Sequence, residues 1–276
     1  MTDPLSDLDH LEDEVMRLRD QLARLEQERA DLIVELSEFE LVYNARVGPP
    51  QAQLEAAQLH IAEYQLRIDQ IRLRGKALAP AQLEAEVEYR LREQRRRSES
   101  AFATAEEAKS KPVPAPSIDP TLKLDLKQLY RELAKSVHPD LAVDEVDRVK
   151  RSEKMTQVNA SYAQQDLASL QQLLREVGDE QAGRVETIEQ KQARLQSERD
   201  RLEAAIRRVR SEISEFNQGA LMSLKLEYAL QKARGRDLLI EVAARTQAQG
   251  DRAERELNDL LARFRELIES TGIINR

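Results

Sequence analysis

The sequence predicts an elongated all-α fold, in which helical hairpins and coiled coils flank a small pair of helices. Only 4% of the 276 residues are aromatic and 34% are charged, so the chain lacks the side chains of a single compact core and needs a large solvated surface. Eight Gly and nine Pro leave too few turns for a β-sandwich or barrel. Apolar residues recur every three or four positions over long stretches, as they do on one face of a helix.

Residues 1–97 predict an N-terminal coiled-coil hairpin. Only Arg29 interrupts the apolar spacing of its first helix, and a helix with such a stripe has to pair with another helix. The stripe consists of Leu8, Leu11, Val15, Leu18, Leu22, Leu25, Leu32, Leu36, Phe39 and Tyr43.

The motif Gly48-Pro49-Pro50 is expected to end this first helix. Glycine tolerates left-handed geometry, and proline cannot continue the interior of a helix. We therefore predict a hairpin of residues 8–46 against 50–75, followed by a further helix over 81–97.

Residues 98–120 predict a linker. The segment is rich in Ala, Ser and Lys, and its prolines alternate with other residues at positions 112, 114 and 116. Such a composition favours an extended chain and buries too little apolar area to fold alone.

Residues 183–276 predict a second set of coiled-coil helices, with an interruption at Asn217-Gln218-Gly219. A further glycine, Gly235, falls within one of these helices. Since an interior glycine costs about 1 kcal/mol relative to alanine, we expect close helix packing at that point. An antiparallel bundle would bury the stripes of both flanks, and pairing within one chain or in a homodimer would serve equally.

Between linker and second coil, residues 121–177 predict a module of two antiparallel helices. The first helix has an apolar face, and its basic residues Lys123, Lys127, Arg131 and Lys135 recur every four positions on another face. The motif His138-Pro139-Asp140 ends this helix. The apolar face consists of Leu122, Leu126, Leu129, Leu133 and Val137, and Met155, Val158 and Tyr162 on the second helix would pack against it.

This module resembles the J-domain of the DnaJ family. The similarity lies in the helix LYRELAKSVHPD (129–140) and in the helix KMTQVNASYAQQDLASL (154–170), which carries Asn159 and Tyr162 in the pattern Asn-x-x-Tyr. The second helix is expected to continue through Gln164-Gln165-Asp166-Leu167. The resemblance covers about 55 residues.

The resemblance implies a co-chaperone that docks on a DnaK-type chaperone, stimulates its ATP hydrolysis and delivers an unknown client. It implies contact roles for His138, Pro139 and Asp140. Lys127, Arg131 and Lys135 would be docking charges, and a basic stripe facing an acidic partner would steer the encounter. The coiled coils would dimerise the chain or bind the client.

The sequence predicts no enzyme, cofactor or metal site. It has no Cys, no glycine-rich phosphate loop and no second His or Cys near His10 or His60. The acidic N-terminus is unlike a signal peptide, and no stretch has 18 apolar residues, so we expect a cytoplasmic protein.

Two other functions remain open. A structural coiled-coil scaffold could contain the module as a degenerate spacer. Nucleic-acid binding through the cluster Arg90–Arg97 is disfavoured by the net charge of −8 and by the interleaved Glu residues.

Overall fold

A computed structural model describes residues 4–74, 79–110, 119–178 and 187–271, and the protein is all-α, which confirms the predicted fold class. None of the helices in these four ranges is long and apolar enough to cross a bilayer. The helices are α1 (Pro4–Arg74), α2 (Pro80–Ser110), α3 (Pro120–Val137), α4 (Glu145–Ala163), α5 (Leu167–Gly178), α6 (Ile188–Gln218), α7 (Ala220–Ala233) and α8 (Leu238–Thr271), with a 3₁₀ turn at Pro139–Leu141.

The chain divides into two compact units, and α1 contributes to both. The first unit combines Met1–Ser37 with Ala115–Ser223, and the second combines Glu38–Pro114 with Leu224–Arg276.

In the first unit, α3, α4 and α5 enclose a core of their own. Burial of these side chains is the main free energy that holds the three helices together. The core consists of Leu126, Tyr130, Leu133, Ala134, Val137, Met155, Val158, Tyr162, Leu170 and Val177, with Ala23 of α1 at its edge.

The apolar stripe at the start of α1 packs against α6. Its Leu8, Leu11, Val15 and Leu22 share a cluster with residues of α6 that include Leu202. Three ion pairs flank this seam: Glu12 with Lys191, Arg19 with Glu198, and Arg29 with Glu212. In these three pairs, a higher residue number on α1 goes with a higher residue number on α6, so the two helices run parallel. The predicted antiparallel bundle is therefore wrong for this unit.

In the second unit, α1 packs against α8 and α2. Leu54, Ala57, Ile61 and Ile68 of α1 form a cluster with Ala253 and Leu260 of α8. The residue numbers of both partners increase from the pair Arg46–Asp237 to the pair Tyr64–Phe264, so α8 runs parallel to α1. From the pair Glu63–Arg95 to the pair Arg67–Glu84, the number on α1 increases while the number on α2 decreases, so α2 runs antiparallel to α1.

The turn predicted at Gly48-Pro49-Pro50 is wrong, because α1 continues through both prolines. A proline inside a helix removes a hydrogen bond and crowds the preceding turn, at a cost of about 3 kcal/mol. Burial on both sides of the motif outweighs this cost, since Val47 and Ala52 are only 1% and 2% exposed. The hairpin of 8–46 against 50–75 is therefore absent, and α2 supplies the antiparallel partner instead.

The linker predicted over residues 98–120 is also wrong in its first part, because α2 extends to Ser110. Ser98, Ala105 and Ala108 are buried, so small side chains that contribute little apolar area still allow α2 to pack closely. The prolines at 112, 114 and 116 lie outside the described residues.

The interruption predicted near residue 218 is confirmed, since α6 ends at Gln218 and α7 begins at Ala220. Gly235, however, lies between helices and is not closely packed. Its φ is +78°, and an added Cβ would meet nothing within 4 Å. The N–H of Gly235 donates to the carbonyl of Lys232, and the N–H of Arg236 donates to that of Gln231. This is a glycine cap that ends α7.

Candidate functional site

The predicted module is built on α3, whose start and buried face are set locally. Asp119 caps the helix by accepting a hydrogen bond of 2.9 Å from the N–H of Thr121, and Pro120 occupies the first turn. Tyr130 and Leu133 are fully buried. Burial of this face leaves Lys127, Arg131 and Lys135 on the other side of the helix.

The His-Pro-Asp motif forms a tight turn at the end of α3. His138 is extended, with φ −60° and ψ 132°, and Pro139 begins a 3₁₀ turn. His138 Nδ1 accepts a hydrogen bond of 3.1 Å from the N–H of Asp140. Since Nδ1 is an acceptor, the neutral ring carries its proton on Nε2 and directs a donor away from the turn.

Two aspartates start the helix that follows. Asp144 accepts a hydrogen bond of 2.8 Å from the N–H of Asp147, and the Asp147 carboxylate accepts one of 3.0 Å from the N–H of Val143. Arg151 of α4 donates to the carbonyl oxygen of Ser136 at 2.6 Å. The helices α3 and α4 are thereby joined as an antiparallel pair next to the turn.

The residues of α1 cover His138, which is only 2% exposed. Nε2 of His138 lies 3.1 Å from Oε1 of Glu26, a carboxylate that is itself buried. The other oxygen of Glu26 lies 2.6 Å from the guanidinium of Arg29, which also pairs with Glu212 of α6 at 2.6 Å. Burial lowers the pKa of Arg29 and the two glutamates raise it more, so its charge is retained.

The predicted docking charges also meet α1. Lys127 Nζ donates to Asp31 Oδ2 at 2.7 Å, and Lys135 forms a close ion pair with Asp20. Arg131 differs, because its Nε donates to the backbone oxygen of Lys127 at 3.2 Å. In the part of the chain that the structure describes, no acidic side chain pairs with Arg131.

The other side of the turn faces α6. Arg208 Nη2 lies 2.5 Å from Oδ2 of Asp140, and Arg201 donates to the carbonyl oxygen of Ala142. Leu141 packs against the apolar seam between α1 and α6. The turn and Lys135 thus lie between two helices of the same chain, with His138 buried and Pro139, Asp140 and Lys135 partly exposed.

The Asn-x-x-Tyr pair of α4 acts within the fold. Asn159 Oδ1 accepts a hydrogen bond of 2.8 Å from the hydroxyl of Tyr130, and the hydroxyl of Tyr162 donates to Asp31 Oδ1 at 2.6 Å. Burial raises the pKa of both phenols, so each stays a donor at neutral pH. The two residues therefore fix α4 to α3 and to α1.

The prediction that the second helix continues through Gln164-Gln165-Asp166 is wrong. The helix α4 ends at Ala163, and Gln165 is left-handed with φ 59°. Asp166 then caps α5 by accepting hydrogen bonds from the N–H and the hydroxyl of Ser169, at 3.0 and 2.6 Å. The sequence does contain a signal for this new helix start: Asp166, a residue typical of helix N-caps, is followed three residues later by Ser169 and then by an apolar run.

Sequence reasoning missed the residues that hold the turn and the basic face of α3, namely Asp20, Glu26 and Asp31 of α1 and Arg201 and Arg208 of α6. One signal pointed to part of this set. Arg29 interrupts the apolar stripe of α1, and a cation in such a seam requires buried acidic partners.

No protein-family model matches the sequence, and neither a curated protein nor a solved structure matches it.

Proposed function

We propose that this chain is a J-domain-type co-chaperone that docks on a DnaK-type chaperone and stimulates its ATPase. The observation that carries the proposal is the turn of His138, Pro139 and Asp140 between two antiparallel helices, with a cationic face of α3 leading into it. The resemblance to the DnaJ family rests on the same residues.

The chemistry of this surface suits binding and needs no bond to be made or broken. His138, once released by Glu26, would offer a fixed N–H donor, and Asp140, once released by Arg208, would offer a charged acceptor. Lys127, Arg131 and Lys135 would attract an acidic partner, with an affinity that falls as salt rises. A client protein or a second copy of the chain would be the partner of the flanking helices, and the proposed location is the cytoplasm.

The steady-state ATPase of a DnaK-type chaperone, titrated with the full-length protein, tests this function. We expect saturable stimulation that the variant His138→Gln abolishes. Arg131→Glu should weaken the stimulation, because it reverses the one charge among Lys127, Arg131 and Lys135 that pairs with no acidic side chain of the described residues. Arg175→Glu is the matched control, since Arg175 is an exposed cation on α5 of the same module. Thermal unfolding of each variant separates loss of docking from loss of fold.

The second candidate function is a structural scaffold. The burial of His138 and the ion pairs of Lys127 and Lys135 with α1 favour it, because these are the groups a partner would need. In that case His138→Gln lowers the stability of the fold. Neither the wild-type protein nor a variant with weakened α1 contacts would then stimulate the ATPase.

A further inference from the structure

Three acidic side chains of α1 each meet a basic group of the module, two on α3 and one at the turn that follows it. Asp20 meets Lys135, Glu26 meets His138, and Asp31 meets Lys127. The three carboxylates are spaced by six and five residues, which places them about 9 and 7.5 Å apart along the helix axis. The helix α1 thus presents to the module an acidic surface of the kind that a docking partner would need.

The contact between α1 and the module is mainly polar, whereas the contact between α1 and α6 has an apolar centre flanked by ion pairs. From the described part of α1, the apolar side chains that reach the core of the module are the small ones of Ala23 and Ala30. A groove of about 440 Å³ opens between α1 and the end of α3, lined by Met16, Asp20 and Lys135 among others. By contrast, leucines and valines close the seam between α1 and α6.

This difference makes the two contacts separable. Partly exposed Lys–Asp pairs are individually weak and are screened by salt, while an apolar seam is not. The helices α1 and α6 can therefore stay together while α1 releases His138 and the lysines, since the module keeps its own core of α3, α4 and α5. Full release of the turn also breaks the pair of Arg208 with Asp140 and removes Leu141 from the seam.

We propose that the acidic face of α1 formed by Asp20, Glu26 and Asp31 is an internal competitor that covers the docking surface of the module, so that an acidic partner must displace it. The identity of that partner rests on the proposed function. The covering of the turn by α1 does not, and it is tested separately.

The experiment measures acylation of histidines by diethyl pyrocarbonate in the full-length protein, followed by peptide mass spectrometry. The chain has only three histidines, and His10 and His60 are exposed, so they serve as internal references. In the wild type, His138 should react far more slowly than either reference. In the double variant Asp20→Lys/Asp31→Lys, the ratio of His138 to His60 modification should rise about tenfold, as expected when two attractive pairs become repulsive.

The matched control is Asp13→Lys, which reverses an exposed charge on α1 that makes no hydrogen bond or ion pair with the module within the described residues. It should leave the ratio unchanged. If the double variant does not fold, Asp20→Lys alone and a salt titration of the wild type serve in its place. Rising salt should increase the ratio of His138 to His60 modification, since the reference corrects for effects on the reagent.

The outcomes separate the two proposals. A reactive His138 in the double variant together with a stimulated DnaK-type ATPase supports both. A reactive His138 without stimulation supports the covering by α1 and overturns the co-chaperone function. His138 that reacts as fast as His10 in the wild type, or stays protected in both charge variants and at high salt, overturns the covering by α1.

Discussion

The two halves of α1 use charge in different ways. Residues 4–37 meet the module through carboxylates of α1 and single ammonium groups of α3, as in the pairs of Asp20 with Lys135 and Asp31 with Lys127. The side chains of Asp20 and Lys135 are 42% and 41% exposed, so water and salt compete for both charges.

Residues 38–74 meet α2 through arginine forks. Arg67 binds both oxygens of Glu84 at 3.0 and 2.9 Å and lies over the ring of Tyr64 at 5.1 Å. Arg95 binds one oxygen of Glu63 through two nitrogens, at 3.0 and 2.6 Å, and Glu63 is only 7% exposed.

The difference between lysine and arginine pairs indicates which of the two contacts of α1 is the easier to release. A lysine is a flexible, strongly hydrated point charge, whereas a guanidinium holds a carboxylate in a fixed fork and is less hydrated. One helix therefore combines a contact suited to exchange with a contact suited to permanent support.

The largest expected effect concerns residues 38–74 of α1, the half that contacts α2. Pro50→Ala should stabilise the protein by about 2 kcal/mol, because it restores a helical hydrogen bond. The gain is smaller than the full cost of the proline, since alanine leaves the unfolded chain with more conformational entropy. Urea denaturation followed by circular dichroism measures the change. A loss of stability would mean that the ring of Pro50 contributes more to packing and chain stiffness than the missing hydrogen bond costs.

Removing one carboxylate from each half sharpens the comparison directly. Glu63→Ala should cost about 1.5 kcal/mol, because it leaves the partly buried Arg95 without its main acceptor. Asp20→Ala should cost less than about 1 kcal/mol, as exposed pairs do. Glu93→Ala removes a 76% exposed carboxylate and serves as the control. Equal losses for Glu63→Ala and Asp20→Ala in urea denaturation would contradict the distinction.

Acid should weaken the contact between residues 4–37 of α1 and the module, because Asp31 loses its charge. Burial raises the pKa of Asp31, but the hydrogen bonds from Lys127, Tyr162 and Gln27 outweigh burial, and the pKa is lowered. A carboxylate with a lowered pKa contributes its stability above its unfolded value, about 3.9, and loses it as the pH falls further.

The measurement compares thermal unfolding of the wild type and Asp31→Asn between neutral pH and pH 3. The wild type should be more stable by about 1 kcal/mol at neutral pH, and the difference should shrink as the pH falls below about 3.9. Asp13→Asn is the control for the general effect of one lost charge. A difference that is undiminished at pH 3 would show that Asp31 acts without its charge.

The smallest effect is expected at Gly48. An added Cβ would lie 3.6 Å from Ala105, which is an ordinary contact, and the site is helical. Gly48→Ala should therefore raise the free energy of unfolding by about 0.5 kcal/mol. Thermal unfolding of the variant against Gly235→Ala, which should destabilise because φ is +78° there, checks the sign.

Much of the candidate site could be predicted from sequence because its determinants are local. The ends of α3, the turn at His138-Pro139-Asp140 and the four-residue spacing of the basic stripe depend on neighbours in the chain. The environment of the turn could not be predicted, since Glu26 lies 112 residues away from His138. Nothing in the spacing of α1 distinguishes Asp20 and Asp31 from its other exposed acidic residues.

By itself, the sequence determined that the chain is helical, which face of each helix is apolar and where the basic stripe of α3 lies. These properties follow from a periodicity of three to four residues. Tertiary structure decided that α1 passes through Pro49 and Pro50, that it runs parallel to α6, and that it covers His138. Each of these depends on contacts between residues far apart in the chain, whose burial and pairing free energies exceed the local preferences that oppose them.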